Sequence, residues 1–291
     1  MKSITLATKP EKGYELLDSG EEEKLERYGN IILARPDPQA LWAKRLPESE
    51  WKRADAWYER KEKAGKWHVK KELPKEWSID FGGLKFLIRP TSFKHTGIFP
   101  EQRGNWEWST ELVRNAGRPV SVLNLFAYTG GATLAAAKAG SEVTHLDASK
   151  TAVSWAKENA KLSGLSEKPI HWVVEDALKF VKREESRGNR YDAIIMDPPA
   201  FGHGPKDELW KIEENFLPLM RSSMKILSEK PLFFLINGYA SGYSPLAFAH
   251  NLSPLVEKSD GEVEYGELTI EESKSHRLLP AGIFARWQKK V

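Results

Sequence analysis

The chain has 291 residues, with 44 basic and 41 acidic side chains for a formal net charge of +3, and it contains no cysteine. Disulfides, zinc–thiolate centres and thiol nucleophiles are therefore excluded, while the length suffices for an α/β core of about 170–200 residues with about 100 left over. No apolar run approaches the ~20 residues of a membrane span, and the N-terminus lacks the apolar region of a signal peptide, which predicts a cytoplasmic protein without membrane contact.

Residues 1–90 have the pattern of a separate, mostly β module. Short segments rich in β-branched and aromatic residues, separated by proline and glycine, are typical of strands and turns. The strands are predicted over 30–34, 67–71, 77–81 and 84–88. Gly82-Gly83 is typical of a hairpin turn between the last two of these strands.

The stretch from Trp51 to Lys75 is basic and aromatic, with nine Lys or Arg residues against four acids and four aromatic rings among them. Cations between flat aromatic rings suit single-stranded nucleic acid, because they neutralise phosphates while the bases stack. The side chains predicted to bind phosphates are Lys52, Arg53, Lys61, Lys70 and Lys71. A second interpretation is a small module with tryptophan in its core and lysine on its wet face, and both can hold at once.

Residues 91–118 form a predicted connector, with a helix over 106–114. From residue 119 to 291, strands and helices alternate in five βα units that end in a β pair. This alternation predicts an α/β, Rossmann-like sheet of seven strands, the last of them reversed.

Two segments of this region together predict a nucleoside site. A strand that begins at Val120 runs into Gly130-Gly131 and an Ala-rich helix ended by Gly140, and the next strand ends on Asp147. Glycines there let a ligand approach the backbone, and the acid can accept hydrogen bonds from both ribose hydroxyls. The G-x-G-x-x-G spacing that seats a pyrophosphate is missing, so we predict S-adenosylmethionine as the cofactor.

A third segment, Asp197-Pro198-Pro199-Ala200-Phe201, follows a short apolar strand over 193–196. The prolines end the strand at its carboxyl end, where open α/β sheets bind ligands. Asp197 and the backbone carbonyls can accept hydrogen bonds from the edge of a planar nitrogenous base, and Phe201 can cover its face. The alternative is a strand stop followed by a buried phenylalanine.

These segments, in this order, resemble a class I S-adenosylmethionine-dependent methyltransferase. The matching segments are N-L-F-A-Y-T-G-G-A-T at 124–133, Asp147, V-E-D-A at 174–177 and D-P-P-A-F at 197–201. The branch that modifies bacterial large-subunit ribosomal RNA also carries a T-G-x-F-x-x-Q-like segment, which 96–102 matches. The resemblance covers roughly residues 90–291, and residues 1–90 do not match the PUA-type RNA-binding domain of some members.

The resemblance implies a role for each matching residue. The implied cofactor-binding residues are Phe99, Gln102, Tyr128, Thr129, Gly130, Asp147, Ala148, Asp176, Ala177 and Asp197. The implied catalytic residues, which face the substrate, are Asp197, Pro198 and Phe201. Asp176 also fits the N-cap of the helix that follows it, and the two roles are compatible.

The missing cysteine bears on the reaction as well. Methylation at pyrimidine C5 requires a nucleophile, normally a cysteine thiolate, whereas transfer to nitrogen requires mainly alignment and exclusion of water. We therefore expect methylation of a base nitrogen in RNA, with ribosomal RNA as the partner and no metal. The alternatives are a methyltransferase for a small molecule or a protein side chain, and a catalytically silent RNA-binding protein. The sequence carries no signal for an oligomeric state.

Overall fold

The computed structural model describes residues 1–60, 65–70, 72–92, 94–239 and 242–290. The chain divides into two compact units, and neither is one continuous stretch of chain. The first unit comprises Met1–Leu6, Gly104–Glu267 and Gly282–Val291, and the second comprises Ala7–Arg103 and Leu268–Ala281.

The strands and helices are numbered in chain order. The strands are β1 Lys2–Thr8, β2 Tyr14–Gly20, β3 Glu23–Tyr28, β4 Ile31–Pro36, β5 Ala56–Glu59, β6 Lys66–Val69, β7 Trp77–Phe81, β8 Leu84–Ile88, β9 Ser121–Leu125, β10 Glu142–Asp147, β11 Ile170–Val174, β12 Ala193–Met196, β13 Phe201–His203, β14 Leu209–Lys211, β15 Phe233–Gly238, β16 Gly261–Glu271 and β17 Leu278–Lys289. The helices are α1 Glu48–Trp51, α2 Arg103–Asn115, α3 Gly131–Ala139, α4 Lys150–Leu162, α5 Ala177–Arg187, α6 Ile212–Lys225 and α7 Pro245–Lys258, and a short 3₁₀ turn spans Pro100–Gln102.

The large sheet of the first unit has the strand order β1-β16-β17-β15-β12-β9-β10-β11. The strands from β15 to β11 pair in parallel, and β17 pairs antiparallel with β15. The predicted α/β class with a reversed last strand is confirmed. All seven predicted strands are present, and β1 adds an eighth at the edge that the sequence did not predict.

The inner strands are apolar because the sheet is covered on both faces. Every residue of β12 and of β15 is buried, as expected for central strands of a parallel sheet. Trp287, Phe234 and Met196 lie in the same hydrophobic core. Among the residues that the structure describes, no helix is long and apolar enough to cross a membrane.

The helix ends follow local chemistry. The hydroxyl of Ser149 accepts from the N–H of Ala152 at 3.2 Å and caps α4, as predicted. The helix α3 ends at Gly140, which has a φ of 110°, a left-handed conformation that glycine adopts without steric cost.

The second unit contains the five-stranded sheet β2-β3-β4-β5-β6 and the hairpin β7-β8, so the predicted β-rich N-terminal module is confirmed. Its core includes a polar network. The buried carboxylate of Glu26 accepts two hydrogen bonds from the guanidinium of Arg35 and one each from the hydroxyls of Tyr14 and Tyr28. A fully bonded buried acid of this kind is costly to break.

The edge strand β1 depends on a glycine in its neighbour β16. A Cβ at Gly266 would lie 1.7 Å from the carbonyl oxygen of Ile4, so any side chain there forces the two backbones apart. We expect Gly266→Ala to lower the free energy of unfolding by about 1–3 kcal/mol, as overpacking commonly does. Thermal and urea denaturation measure the change.

Gly104→Ala is the matched control in the same unit. Its Cβ would meet Leu6 at 3.4 Å, an ordinary contact, and alanine favours the helix α2. Equal stability of the two variants would show that the approach of β1 to β16 does not constrain residue 266.

Candidate active site

The carboxyl ends of four neighbouring strands carry the predicted site residues of the first unit. In the sheet order β12-β9-β10-β11, Asp197 follows β12, the 126–130 loop follows β9, Asp147 ends β10 and Asp176 follows β11. Because parallel strands end at one edge of the sheet, three acids and a tight loop lie along that edge.

The loop after β9 has an unusual backbone. Phe126, Tyr128 and Gly130 have φ values of 56°, 48° and 92°, and only glycine adopts such angles without strain. The carbonyl of Thr129 accepts a 2.9 Å hydrogen bond from the buried amide of Asn159 on α4. The loop is therefore held in a strained shape, which is common where a protein presents its backbone to a ligand.

Packing against a neighbouring side chain, and not backbone conformation, requires a glycine at position 131. A Cβ there would lie 2.3 Å from Cζ2 of Trp106, whose indole packs against the start of α3. The sequence suggested that both glycines make room for a ligand. The structure shows that the space beside Gly131 is filled by Trp106, a contact that the sequence did not reveal.

Asp147 ties two strand ends together. Its carboxylate accepts from the backbone N–H of Tyr128 and of Ser149, each at 2.8 Å. Burial raises the pKa of this carboxyl above its ordinary value, against the lowering effect of the two N–H groups. The carboxylate is thus oriented, and each of its oxygens has a second lone pair with which to accept.

A buried polar chain lies behind the loop. The amide of Asn124 donates to the hydroxyl of Thr133 at 2.9 Å, and that hydroxyl is 2.9 Å from Nδ1 of His145. Burial and nearby Lys157 lower the pKa of His145 to about 3, so the ring stays neutral. This chain joins β9, α3 and β10 beneath the site.

Asp176 is the N-cap of α5. Its Oδ1 accepts from the N–H of Lys179 at 2.9 Å, so the capping role is confirmed by the geometry. Ala177 is buried and Ala148 is half-buried. The additional cofactor contacts of these three residues stay predictions.

In the loop after β12, Asp197 is partly buried whereas Phe201 is exposed. Burial raises the pKa of Asp197 from 3.8 to about 7, and the adjacent Pro198 is buried. The backbone N–H of Asp197 donates to the carbonyl of Leu125 at 3.3 Å. Phe201 is 58% exposed, which excludes the alternative of a strand stop followed by a buried phenylalanine.

Trp210 fixes this loop from the hairpin β13-β14. Its indole N–H donates to the carbonyl of Pro199 at 2.6 Å, and its buried ring meets that of Phe126 at 4.9 Å, edge to face. One side chain therefore contacts both the loop after β9 and the loop after β12. A single tryptophan in the charge-rich segment from Lys206 to Glu214 is the signal that could have identified it.

Phe99 and Gln102 belong to the second unit, where the N–H of Gln102 donates to the carbonyl of Phe99 at 3.2 Å. Their predicted contact with the cofactor stays a prediction.

Three of the five predicted phosphate-binding residues share one cavity of about 570 Å³ in the second unit. The cavity is lined by Asn30, Ile32, Ser49, Lys52, Arg53, Ala54, Asp55 and Lys70. Lys52 forms an ion pair with Glu48 at 3.0 Å, and Arg53 forms one with Glu50 at 2.8 Å. The other two predicted residues, Lys61 and Lys71, lie outside the described residues.

Comparison with known proteins identifies the family. The family model described as S-adenosylmethionine-dependent methyltransferase matches residues 52–227. The crystal structure of a SAM-dependent methyltransferase from Agrobacterium tumefaciens is 40% identical, with a TM-score of 0.94, over 99% of this chain and 95% of that one. A tRNA m1G37 methyltransferase from M. jannaschii shares the fold at 14% identity, with a TM-score of 0.55, over 96% of this chain and 74% of that one.

Curated relatives match half of the chain. Ribosomal RNA large subunit methyltransferase K/L of Shewanella frigidimarina is 34% identical over 148 residues, and that of Pseudoalteromonas atlantica is 37% identical over 148 residues. Each match covers 50% of this chain and 20% of the relative, so the chain spans about a fifth of the length of these proteins.

The raised pKa of Asp197 makes stability depend on pH. The folded chain holds this proton more tightly than the unfolded chain, so the stabilisation present below pH 3.8 is lost as the pH rises through about 7. Asp197→Asn should therefore be more stable than the wild type at pH 8, by at most about 4 kcal/mol. The difference should shrink at pH 5, as measured by thermal denaturation at both pH values.

Asp192→Asn gives the opposite comparison. The pKa of Asp192 is lowered, because hydrogen bonds from Ser121, Ser228 and Arg118 outweigh the raising effect of burial. This variant should be less stable than the wild type at pH 8. An Asp197→Asn variant that is also less stable at pH 8 would contradict a pKa of Asp197 raised by burial.

Proposed function

The chain belongs to the family of S-adenosylmethionine-dependent methyltransferases, and from that premise we propose that it methylates a base nitrogen in RNA, ribosomal RNA in particular. The observation that carries the proposal is the loop after β12. It sets a partly buried carboxylate, Asp197, and an exposed aromatic ring, Phe201, four residues apart at the carboxyl edge of the sheet. A carboxylate for the edge of a base and a ring for its face are the groups that recognise an unpaired nucleobase.

The residues at the edge of the sheet fit S-adenosylmethionine, which supplies a methyl group on a positively charged sulfur. Asp147 is oriented by two backbone N–H groups and keeps lone pairs for the two ribose hydroxyls. Tyr128, Thr129 and Gly130 present backbone to the methionine part of the cofactor. The remaining proposed contacts are made by Phe99, Gln102, Ala148, Asp176, Ala177 and Asp197.

The acceptor base is held by the loop after β12. Ionised Asp197 and the carbonyl of Pro198 accept hydrogen bonds from an amino group, which directs the nitrogen lone pair away from them. Phe201 stacks on the base and fixes its plane. Alignment of this kind, with water excluded, supplies much of the rate enhancement in group transfer.

Nitrogen is favoured over carbon because the chain contains no cysteine. Attack by pyrimidine C5 requires prior addition of a nucleophile at C6, and the thiolate that normally does this is missing. An amino nitrogen already has the electron pair that forms the new bond. It needs only an acceptor for the proton released afterwards, and we assign this role to Asp197.

RNA is favoured over a small molecule or a protein side chain by two observations. The curated relatives described above are named as ribosomal RNA methyltransferases. In addition, the second unit groups three cationic side chains, Lys52, Arg53 and Lys70, around one cavity.

The role of Asp147 can be tested by cofactor affinity. Because Asp147 accepts charge-assisted hydrogen bonds from the ribose, Asp147→Ala should weaken binding of S-adenosylmethionine at least tenfold. Asp147→Asn, which keeps one acceptor oxygen, should weaken it less. Titration calorimetry on the purified variants measures both affinities.

Asp192→Ala is the matched control, because its carboxylate also accepts from a backbone N–H, that of Ser121, but at the amino end of β9. This change should lower stability and leave the affinity unaltered. Equal affinities of the wild type and Asp147→Ala would remove Asp147 from the cofactor site.

The role of the acceptor loop can be tested by methyl transfer from labelled cofactor to RNA from a strain lacking the protein. Asp197→Ala and Phe201→Ala should each reduce the rate by about 10²-fold, since misplacing the acceptor by ~1 Å can cost that much. Cofactor affinity should change only a few-fold. Leu217→Ala removes an exposed apolar side chain from α6 and should have no effect.

Nucleoside analysis of the labelled RNA identifies the methylated atom. The proposal expects the label on a base nitrogen. Label in 5-methylcytosine would contradict the chemistry, full activity of Asp197→Ala would contradict the site, and label only in protein or small molecules would contradict the substrate.

A further inference from the structure

The structure separates the four aromatic residues of the basic stretch. Trp51 and Tyr58 are 8% and 9% exposed, and both contribute to the core of the second unit. Trp67 is half-buried, and its indole N–H donates to the carbonyl of Thr91 at 2.7 Å. Trp57 is 44% exposed, so among these four it alone offers much of its ring to solvent.

Trp57 is held in a fixed orientation. It lies opposite His68 in the β5-β6 pair, and the two rings are stacked, with centroids 5.1 Å apart and planes within 10°. His68 is in turn held by Glu59, whose Oε2 lies 2.7 Å from its Nε2. A flat ring that is already ordered loses little conformational entropy when a ligand stacks on it.

The stacked pair lies two positions along the β5-β6 ladder from two residues that line the cavity. Asp55 directly precedes β5 and Lys70 directly follows β6, and the carboxylate of Asp55 accepts from the N–H of Ile32 at 2.9 Å. The N–H of Lys70 donates to the carbonyl of Asp55 at 2.9 Å, which continues the β5-β6 ladder to the cavity. Asp55 and Lys70 both line that cavity, together with Lys52 and Arg53.

The cations there are held weakly. Lys52 and Arg53 pair with two acids of α1, but all four side chains are substantially exposed, and exposed pairs contribute little to stability. The Nζ of Lys70 donates to the carbonyl of Lys52 at 2.6 Å. Because a carbonyl is neutral, this bond does not compensate the positive charge of Lys70. Phosphates can therefore compete for these three cations.

We propose that Trp57, backed by His68, is a base-stacking platform for single-stranded RNA, and that Lys52, Arg53 and Lys70 bind the phosphates beside the stacked base. The proposal rests on the RNA substrate proposed above and assigns the part of the second unit that holds it. A duplex does not fit the same chemistry, because its bases are already stacked on each other.

The test is equilibrium binding of a fluorescent twelve-residue oligouridylate, followed by anisotropy between 50 and 300 mM salt. Trp57→Ala should weaken binding about tenfold without changing the slope of log affinity against log salt, because it removes stacking and no charge. Trp57→Phe should retain most of the affinity. The double change Lys52→Gln with Lys70→Gln should flatten the slope.

Trp67→Phe is the matched control. It alters the half-buried tryptophan that precedes His68 on β6, and it should leave the affinity unchanged. Wild-type affinity in Trp57→Ala, or tighter binding of a duplex of equal length, would overturn the platform. The RNA substrate is tested separately by methyl transfer. RNA that is methylated with an unchanged KM by Trp57→Ala would contradict only the platform, and absence of transfer by the wild type would contradict the proposed substrate.

Discussion

The hydrogen bond from the N–H of Tyr128 to the carboxylate of Asp147, 2.8 Å long, is the constraint around which the edge of the first sheet is built. It joins the end of β10 to a loop that holds Phe126 and Tyr128 in left-handed conformations. The proposed acceptor of the ribose hydroxyls is therefore also the group that shapes the loop beside it. Binding and local folding share one side chain, so a change at Asp147 affects both.

The first sheet was predictable because its central strands are buried on both faces and read as continuous apolar runs. The edge strand β1 was not, because its partner β16 follows more than 250 residues later and no local pattern connects them. The strands β2 and β3 were missed for another reason. Their polar residues include Glu26, which is buried against Arg35, so the charge pattern conceals the core.

The positions of Asp147 at the end of β10 and of Asp176 after β11 were predictable, because each acid closely follows an apolar strand in the sequence. Contacts from distant side chains were not predictable. Trp106 requires the glycine at 131, and Trp210 bonds the carbonyl of Pro199, and both contacts come from outside the motif. Likewise, Glu48 lies outside the basic stretch yet pairs with a cation within it.

The chain passes between the two units four times, with β16 and β17 contributing residues to both. During synthesis, β1 is made more than 250 residues before β16, the strand with which it pairs, and the second unit lacks its 268–281 segment until the residues after β16 are made. Neither unit can complete its fold independently while translation proceeds. The growing chain therefore carries open strand edges until the residues from β16 onward are made, the condition under which chaperones protect a nascent protein from aggregation.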